Sequence, residues 1–207
     1  MSLLHKNENI QSQSSESLDC RDQRKITIVS DAWHPQVNGV VRTVEATATA
    51  LRELEHQVQI LNPSEFLTVP CPMYPEIRLS LDVWPRVGKL LEEFSPDSIL
   101  IATEGPIGIA ARNYCISKGL KFTTNFNTKF PEYIRLRVPI PERWSYKYFQ
   151  WFHNPSESVL VPTESLATYL HERGIKNTGW WGRGVDIDLF RPYEESILQD
   201  LPRPISL

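Results

Sequence analysis

Residues 26–42 read ITIVSDAWHPQVNGVVR, and this stretch restricts the fold more than any other. Ile26-Thr27-Ile28-Val29 is a short apolar, β-branched run, the pattern of a strand buried on both faces. It stops at Ser30-Asp31, and a loop containing Pro35 follows. After Asn38-Gly39, apolar residues at Val40, Val41, Val44, Ala48, Leu51 and Leu54 fall on one helical stripe. A strand, a loop with glycine at its turn and a helix opening at once are the parts of an anion-cradling βα unit. Glycine lets a ligand approach the backbone, and the first amides and positive dipole end of the helix face it. Asn38 is suited to cap that helix. An ordinary capped turn uses the same residues, and a dinucleotide fingerprint needs three glycines where this loop has one.

The rest of the chain repeats the alternation. Strands are expected over 57–61, 77–79, 98–102, 121–125, 159–161 and 178–181, and helices over 83–94, 107–118, 141–153 and 164–173. Gly119 and Gly174 stand where helices stop, and Pro85 falls in a first helical turn. Residues 64–76, with three prolines, read as an excursion loop. Hydrophobic strands alternating with helices, and no hairpin signal, predict a Rossmann-like α/β domain with a mainly parallel sheet and helices on both faces. Ligands bind such sheets beyond the carboxyl ends of the strands. The chain places Asp31 to Gly39, Glu104-Gly105, Asn125 to Lys129, Thr163 and Arg183 to Asp186 there.

Composition narrows the function classes. The 207 residues carry a net charge of -3, so no broad nucleic-acid surface is expected. The local group Lys129, Arg135, Arg137, Arg143 and Lys147 suits either a solvated face or a patch for an anionic acceptor or lipid headgroup. Cys20, Cys71 and Cys115 are far apart and in no metal-ligand spacing, which points to a reducing cytoplasm and no metal. No apolar run reaches the roughly 18 residues of a membrane span, and no apolar h-region opens the chain. Residues 1–23 are polar and aperiodic and are expected to be a disordered tail. The aromatics Tyr146, Tyr148, Phe149, Trp151 and Phe152 have helical spacing and read first as core, then as a membrane-facing surface if part is exposed.

Five segments in order, DAWHPQVNGVVRT, TEGPIGIAAR, FTTNFNTKFPEY, VPTES and GRGVDIDLFRP, resemble the N-terminal domain of family 4 glycosyltransferases of the GT-B fold. The resemblance covers residues 24–192. It implies a cytoplasmic enzyme, peripheral to the inner membrane face in some settings, that passes a mannose-like hexose from a GDP- or UDP-sugar to a lipid or glycan acceptor with retention. No metal and no cofactor beyond the nucleotide-sugar substrate is implied. Gly39, flanked by Asn38 and Val40, is expected to approach the donor diphosphate, joined by Arg183 from the cleft border. Glu104, Gly105, Thr128 and Lys129 are expected on the acceptor side. Asn127 stands where the family carries a catalytic histidine; an amide can hydrogen-bond a sugar but cannot take up positive charge. Arg42 suits a solvated position as well as a cleft, and Asp186 suits a structural turn. Residues 193–207 are expected to be a linker opening a C-terminal donor domain, so the 207-residue chain alone is expected to transfer little sugar.

Two other readings fit the residues: a non-catalytic module for a carbohydrate or lipid headgroup, and a Rossmann-like nucleotide binder such as a sugar epimerase fragment. Against the latter, Leu61-Asn62-Pro63 stands where a dinucleotide site has an acidic residue.

Overall fold

The computed structural model describes residues 23–36, 38–71, 74–126 and 142–182. In chain order these form β1 (Lys25–Val29), α1 (Gly39–Glu53), β2 (Gln57–Leu61), a 3-10 turn (Pro63–Glu65), β3 (Thr68–Cys71), β4 (Tyr74–Ser80), α2 (Val83–Phe94) and β5 (Ser98–Ile101). There follow α3 (Pro106–Lys118), β6 (Thr123–Asn125), α4 (Glu142–His153), β7 (Ser158–Val161), α5 (Glu164–Glu172) and β8 (Thr178–Trp180). Six of the strands make one sheet in the order β2-β1-β5-β6-β7-β8. Every neighbouring pair in it is parallel, with Ile28 opposite Ile60 on one side and Leu100 on the other. This is the predicted Rossmann-like α/β architecture, one half of a GT-B fold.

Alternation along the central strands explains why both faces are covered. Ile28 points to one face, where Val44 and Ala48 of α1 pack with Ala102 and Leu100. Val29, Ile99 and Ile101 point to the other, against Val87 and Leu91 of α2 and Ile107, Ala110, Ala111 and Cys115 of α3. Strands with apolar residues on both faces have no solvent side, so helices must cover each. A third cluster, Phe126, Phe149, Val159, Val161, Leu170 and Ile175, closes the sheet's far end beneath α4 and α5.

The helix boundaries have local causes. Asn38 accepts from the amides of Val40 and Val41, each at 3.0 Å, and so caps α1 as its side chain predicts. Thr163 caps α5 through Leu166 N–H at 3.3 Å. Gly119 and Gly174 end their helices at φ 66° and 77°, where a side chain would strain the backbone.

The expected loop over 64–76 is instead half of a hairpin. β3 pairs antiparallel with β4, Thr68 opposite Ser80 and Val69 opposite Leu79. Pro70 reads as a breaker in sequence, yet an edge position in a two-strand ribbon does not need its missing N–H. The α4 aromatics also divide. Tyr146, Phe149 and Phe152 are buried, while Trp151 and its neighbour in the helix Trp144 are exposed. Predicted features at residues 1–22, including Cys20, at 127–141, including Arg135 and Arg137, and at 183–207 lie outside the described residues.

Two glycines predict opposite responses to alanine. A Cβ on Gly108 would lie 2.0 Å from the backbone oxygen of Thr103, a contact no rotamer can relieve. Gly39 is in a helix with nothing within 4 Å of its Cβ position. Gly108→Ala should destabilise by about 2 kcal/mol or more, whereas Gly39→Ala should stabilise by about 0.5–1 kcal/mol. Urea midpoints of the two variants check both signs.

Candidate functional site

The chain leaves β1 for β2 on one side and returns to β5 on the other, so the strand order reverses between β1 and β5. In open parallel sheets that reversal opens a crevice at the carboxyl ends, where ligands sit. Asp31 follows β1, and Thr103, Glu104 and Gly105 follow β5. Sequence order and sheet topology together bring these four residues to one place.

Asp31 bonds across this reversal. Its carboxylate accepts from Ile107 N–H at 2.8 Å and Gly108 N–H at 3.2 Å, and from the Thr103 hydroxyl at 2.9 Å. Thr103 Oγ1 in turn accepts the Asp31 amide at 2.6 Å. The arrangement caps α3 from outside the helix. Gly105, at the N-cap position, has no side chain to cap with, and Pro106 has no N–H to offer. Ile107 and Gly108 therefore carry the first free amides of the helix, and both are taken by Asp31. Gly105 is glycine for the same reason: a Cβ there would stand 2.4 Å from the Asp31 carboxyl carbon. Burial of the carboxylate outweighs these hydrogen bonds and pushes its pKa up from 3.8 to about 6, with the charge of Glu104 adding to the rise.

Glu104 is set beside this cap, its side chain 23% exposed. The Tyr148 hydroxyl of α4 donates to the Glu104 backbone oxygen. Burial, then the charges of Glu104 and Asp31, push the Tyr148 phenol up to about 12, so it remains a neutral donor. Behind Glu104 lies His153, fully buried among Phe126, Phe149 and Phe152. Its Nδ1 is 2.8 Å from Thr124 Oγ1, and its Nε2 is 3.4 Å from Glu104 Oε1.

Asn38, Gly39 and Val40 begin α1. Asn38 and Gly39 are exposed. Because Asn38 takes the amides of Val40 and Val41, an incoming group meets the open Gly39 backbone first. Of the expected site residues, the structure thus places Glu104 and Gly105 at the reversal and the Asn38–Val40 group at the start of α1. Arg42 is exposed. Asn127, Thr128, Lys129, Arg183 and Asp186 lie outside the described residues. Among those described, no three His, Cys, Asp or Glu side chains form a metal-ligand group, and no helix is long and apolar enough to cross a membrane.

The sequence reading put Asp31 at this end of the sheet but gave it no task, and it passed over Thr103, Thr124 and His153. One signal for His153 was available: it adjoins Phe152 and follows Phe149 by four positions, so it falls on the buried side of α4.

Residues 37–189 match the description Glycosyltransferase Family 4. A GDP-mannose-dependent alpha-mannosyltransferase of Mycobacterium tuberculosis is 26% identical over 186 residues, covering 81% of this chain and 49% of that protein. A protein of the same description from Mycolicibacterium smegmatis is 27% identical over 188 residues, covering 81% and 50%. Sulfoquinovosyl transferase SQD2 of Arabidopsis thaliana is 25% identical over 161 residues, covering 69% and 31%. The chain thus spans about half the length of the mannosyltransferases it matches.

The raised Asp31 pKa has a signed consequence. Between about pH 4 and 6 the folded state holds a proton that the unfolded chain has released, so the contribution of Asp31 to stability falls as pH rises. Asparagine does not titrate. The stability of wild type minus that of Asp31→Asn should therefore fall by about 3 kcal/mol between pH 3.5 and 7.5, measured by urea unfolding at each pH.

Proposed function

The chain belongs to glycosyltransferase family 4, and from that premise we propose that it supplies the acceptor side of a cleft for hexose transfer. The donor would be a nucleotide sugar, with GDP-mannose first because two similar proteins are described by that donor. The acceptor would be a lipid or glycan hydroxyl. Transfer from an α-configured donor into an α linkage is net retention, in keeping with the relatives' description.

The observation that carries this reading is the pairing of an open helix start at Gly39 with a partly exposed carboxylate at Glu104. Gly39, with Asn38 and Val40, would let the donor diphosphate approach the positive end of α1. Charge that develops on the leaving diphosphate would then meet an amide and a dipole already in position. Arg183 would add a cation to the same group. Glu104, beside Gly105, would accept a hydrogen bond from an acceptor hydroxyl, with Thr128 and Lys129 completing that side. Asn127 would contact the transferred sugar as a neutral amide. The compartment that fits is the cytoplasm, with peripheral contact at a membrane when the acceptor is a lipid.

A direct test incubates the 207-residue chain, and the longest reading frame that contains it, with GDP-mannose, UDP-hexoses and a panel of glycan and lipid acceptors. Transfer by the longer protein, with little by the chain alone, is the expected result. Transfer by neither would overturn the reading. Tight GDP or UDP binding by the chain alone, measured by calorimetry, would favour a self-sufficient nucleotide binder instead. In an active protein, Gly39→Val should lower transfer by about 100-fold while leaving the unfolding midpoint nearly unchanged, since the Cβ position is open.

A further inference from the structure

His153 is a buried titratable group near Glu104 that the proposed chemistry does not use. It is fully buried, and its Nε2 has no hydrogen-bond partner among the described residues. A core imidazole normally satisfies both ring nitrogens or turns one to water. Here Nε2 lies 3.4 Å from Glu104 Oε1, beyond ordinary hydrogen-bond length.

The contacts of the other nitrogen admit two neutral tautomers. Ser156 Oγ gives its single proton to the His153 carbonyl at 2.7 Å. The Thr124 hydroxyl, 2.8 Å from Nδ1 and 3.3 Å from Ser156 Oγ, is closer to the ring. In the tautomer on which the proposal below rests, Thr124 donates across the shorter contact to Nδ1 and not to Ser156 Oγ, which puts the ring proton on Nε2, on the side of Glu104. The opposite neutral tautomer would set two lone pairs against each other across a contact closed to water. In the Nε2–H tautomer His153 offers an N–H to Glu104.

We infer that His153 is a positioning residue for Glu104, holding its carboxylate so that it accepts a hydrogen bond from a neutral sugar hydroxyl. This rests on the acceptor-side reading above and extends it to a residue not in contact with substrate. His153 Nε2 and Glu104 Oε1 are 3.4 Å apart, a few tenths of an ångström beyond an ordinary hydrogen bond. Glu104 lies on a strand-end loop and is partly exposed, so it is the member free to move. Its backbone is already pinned by Tyr148, which leaves the side-chain torsions to close the distance.

The test uses the chain titrated with octyl α-D-mannopyranoside, which presents free sugar hydroxyls, with His153 ring nitrogens followed by NMR. The ring should carry its proton on Nε2, and that resonance should shift on titration and on Glu104→Gln. His153→Phe keeps an aromatic among its aromatic neighbours but removes the donor, and should weaken binding at least tenfold. His153→Gln restores an N–H and should recover affinity to within about threefold of wild type. A proton found only on Nδ1, no binding by wild type, or equal affinity for wild type and His153→Phe would each overturn the inference. So would failure of His153→Gln to rescue a folded His153→Phe defect. The transfer assay above is separate: transfer with no His153 effect sinks this inference alone, whereas binding and rescue without transfer by the longer protein sinks only the transferase reading.

Discussion

The carboxylate of Asp31 joins what would otherwise be separate pieces. It sits at the end of β1, is bonded to Thr103 at the end of β5, and caps α3 through Ile107 and Gly108. A helix beginning with Gly105-Pro106 cannot cap itself, and amides left bare in a partly buried crevice would cost about 1–3 kcal/mol each. The remote cap removes that cost, and it explains why Gly105 and Gly108 tolerate no side chain. It also settles which helix start remains open. The amides of Ile107 and Gly108 in α3 are filled by Asp31 and those of Val40 and Val41 in α1 by Asn38, but α1 also begins at an exposed Gly39 with free space around it, where α3 begins at Pro106.

From α3 the contacts run on to the second carboxylate. One turn after the capped amides, Arg112 is buried, with its guanidinium 3.9 Å from the Trp151 ring centroid. Its Nε donates to the Phe152 carbonyl at 3.1 Å and its Nη2 to the Trp151 carbonyl. These are last-turn carbonyls of α4 that lack helical partners, so the cation satisfies them and fixes that helix end. Fixing it sets His153, the final residue of α4, against Glu104, while Tyr148 one turn earlier holds the Glu104 backbone. The path Asp31, α3, Arg112, α4, His153, Glu104 thus closes beside its starting point. The geometry at the mouth is therefore determined by helix docking and not by loop conformation alone.

Periodic apolar patterning made the sheet, its parallel sense and five helices legible in the sequence, because burial on two faces leaves a plain signature. The hairpin of β3 and β4 was not legible, since Pro70 hides an edge strand from any rule built on strand interiors. Glu104 and Gly105 could be placed because the strand end before them is unmistakable. Asp31 stood in the same position at the end of β1, but its task depends on a helix more than seventy residues away, which no local window contains. His153 was hidden differently: its neighbours Thr124, in β6, and Glu104, in the loop after β5, are set side by side only by the folded sheet.

The two carboxylates also restrict what can bind where. Burial raises the Asp31 pKa most and the charge of Glu104 adds to the rise, so the fields of the two carboxylates overlap. A diphosphate entering at Glu104 would meet that negative field directly, and repulsion between partly buried charges is weakly screened. A neutral hydroxyl meets the opposite situation, because a carboxylate is a strong acceptor whose charge the hydroxyl dipole stabilises. On the reading proposed above, the same mouth would separate two substrates by charge: an anionic carrier toward the dipole of α1 at Gly39, an uncharged alcohol toward Glu104. An acceptor presenting a phosphate next to its reactive hydroxyl would have to hold that phosphate away from Asp31 and Glu104.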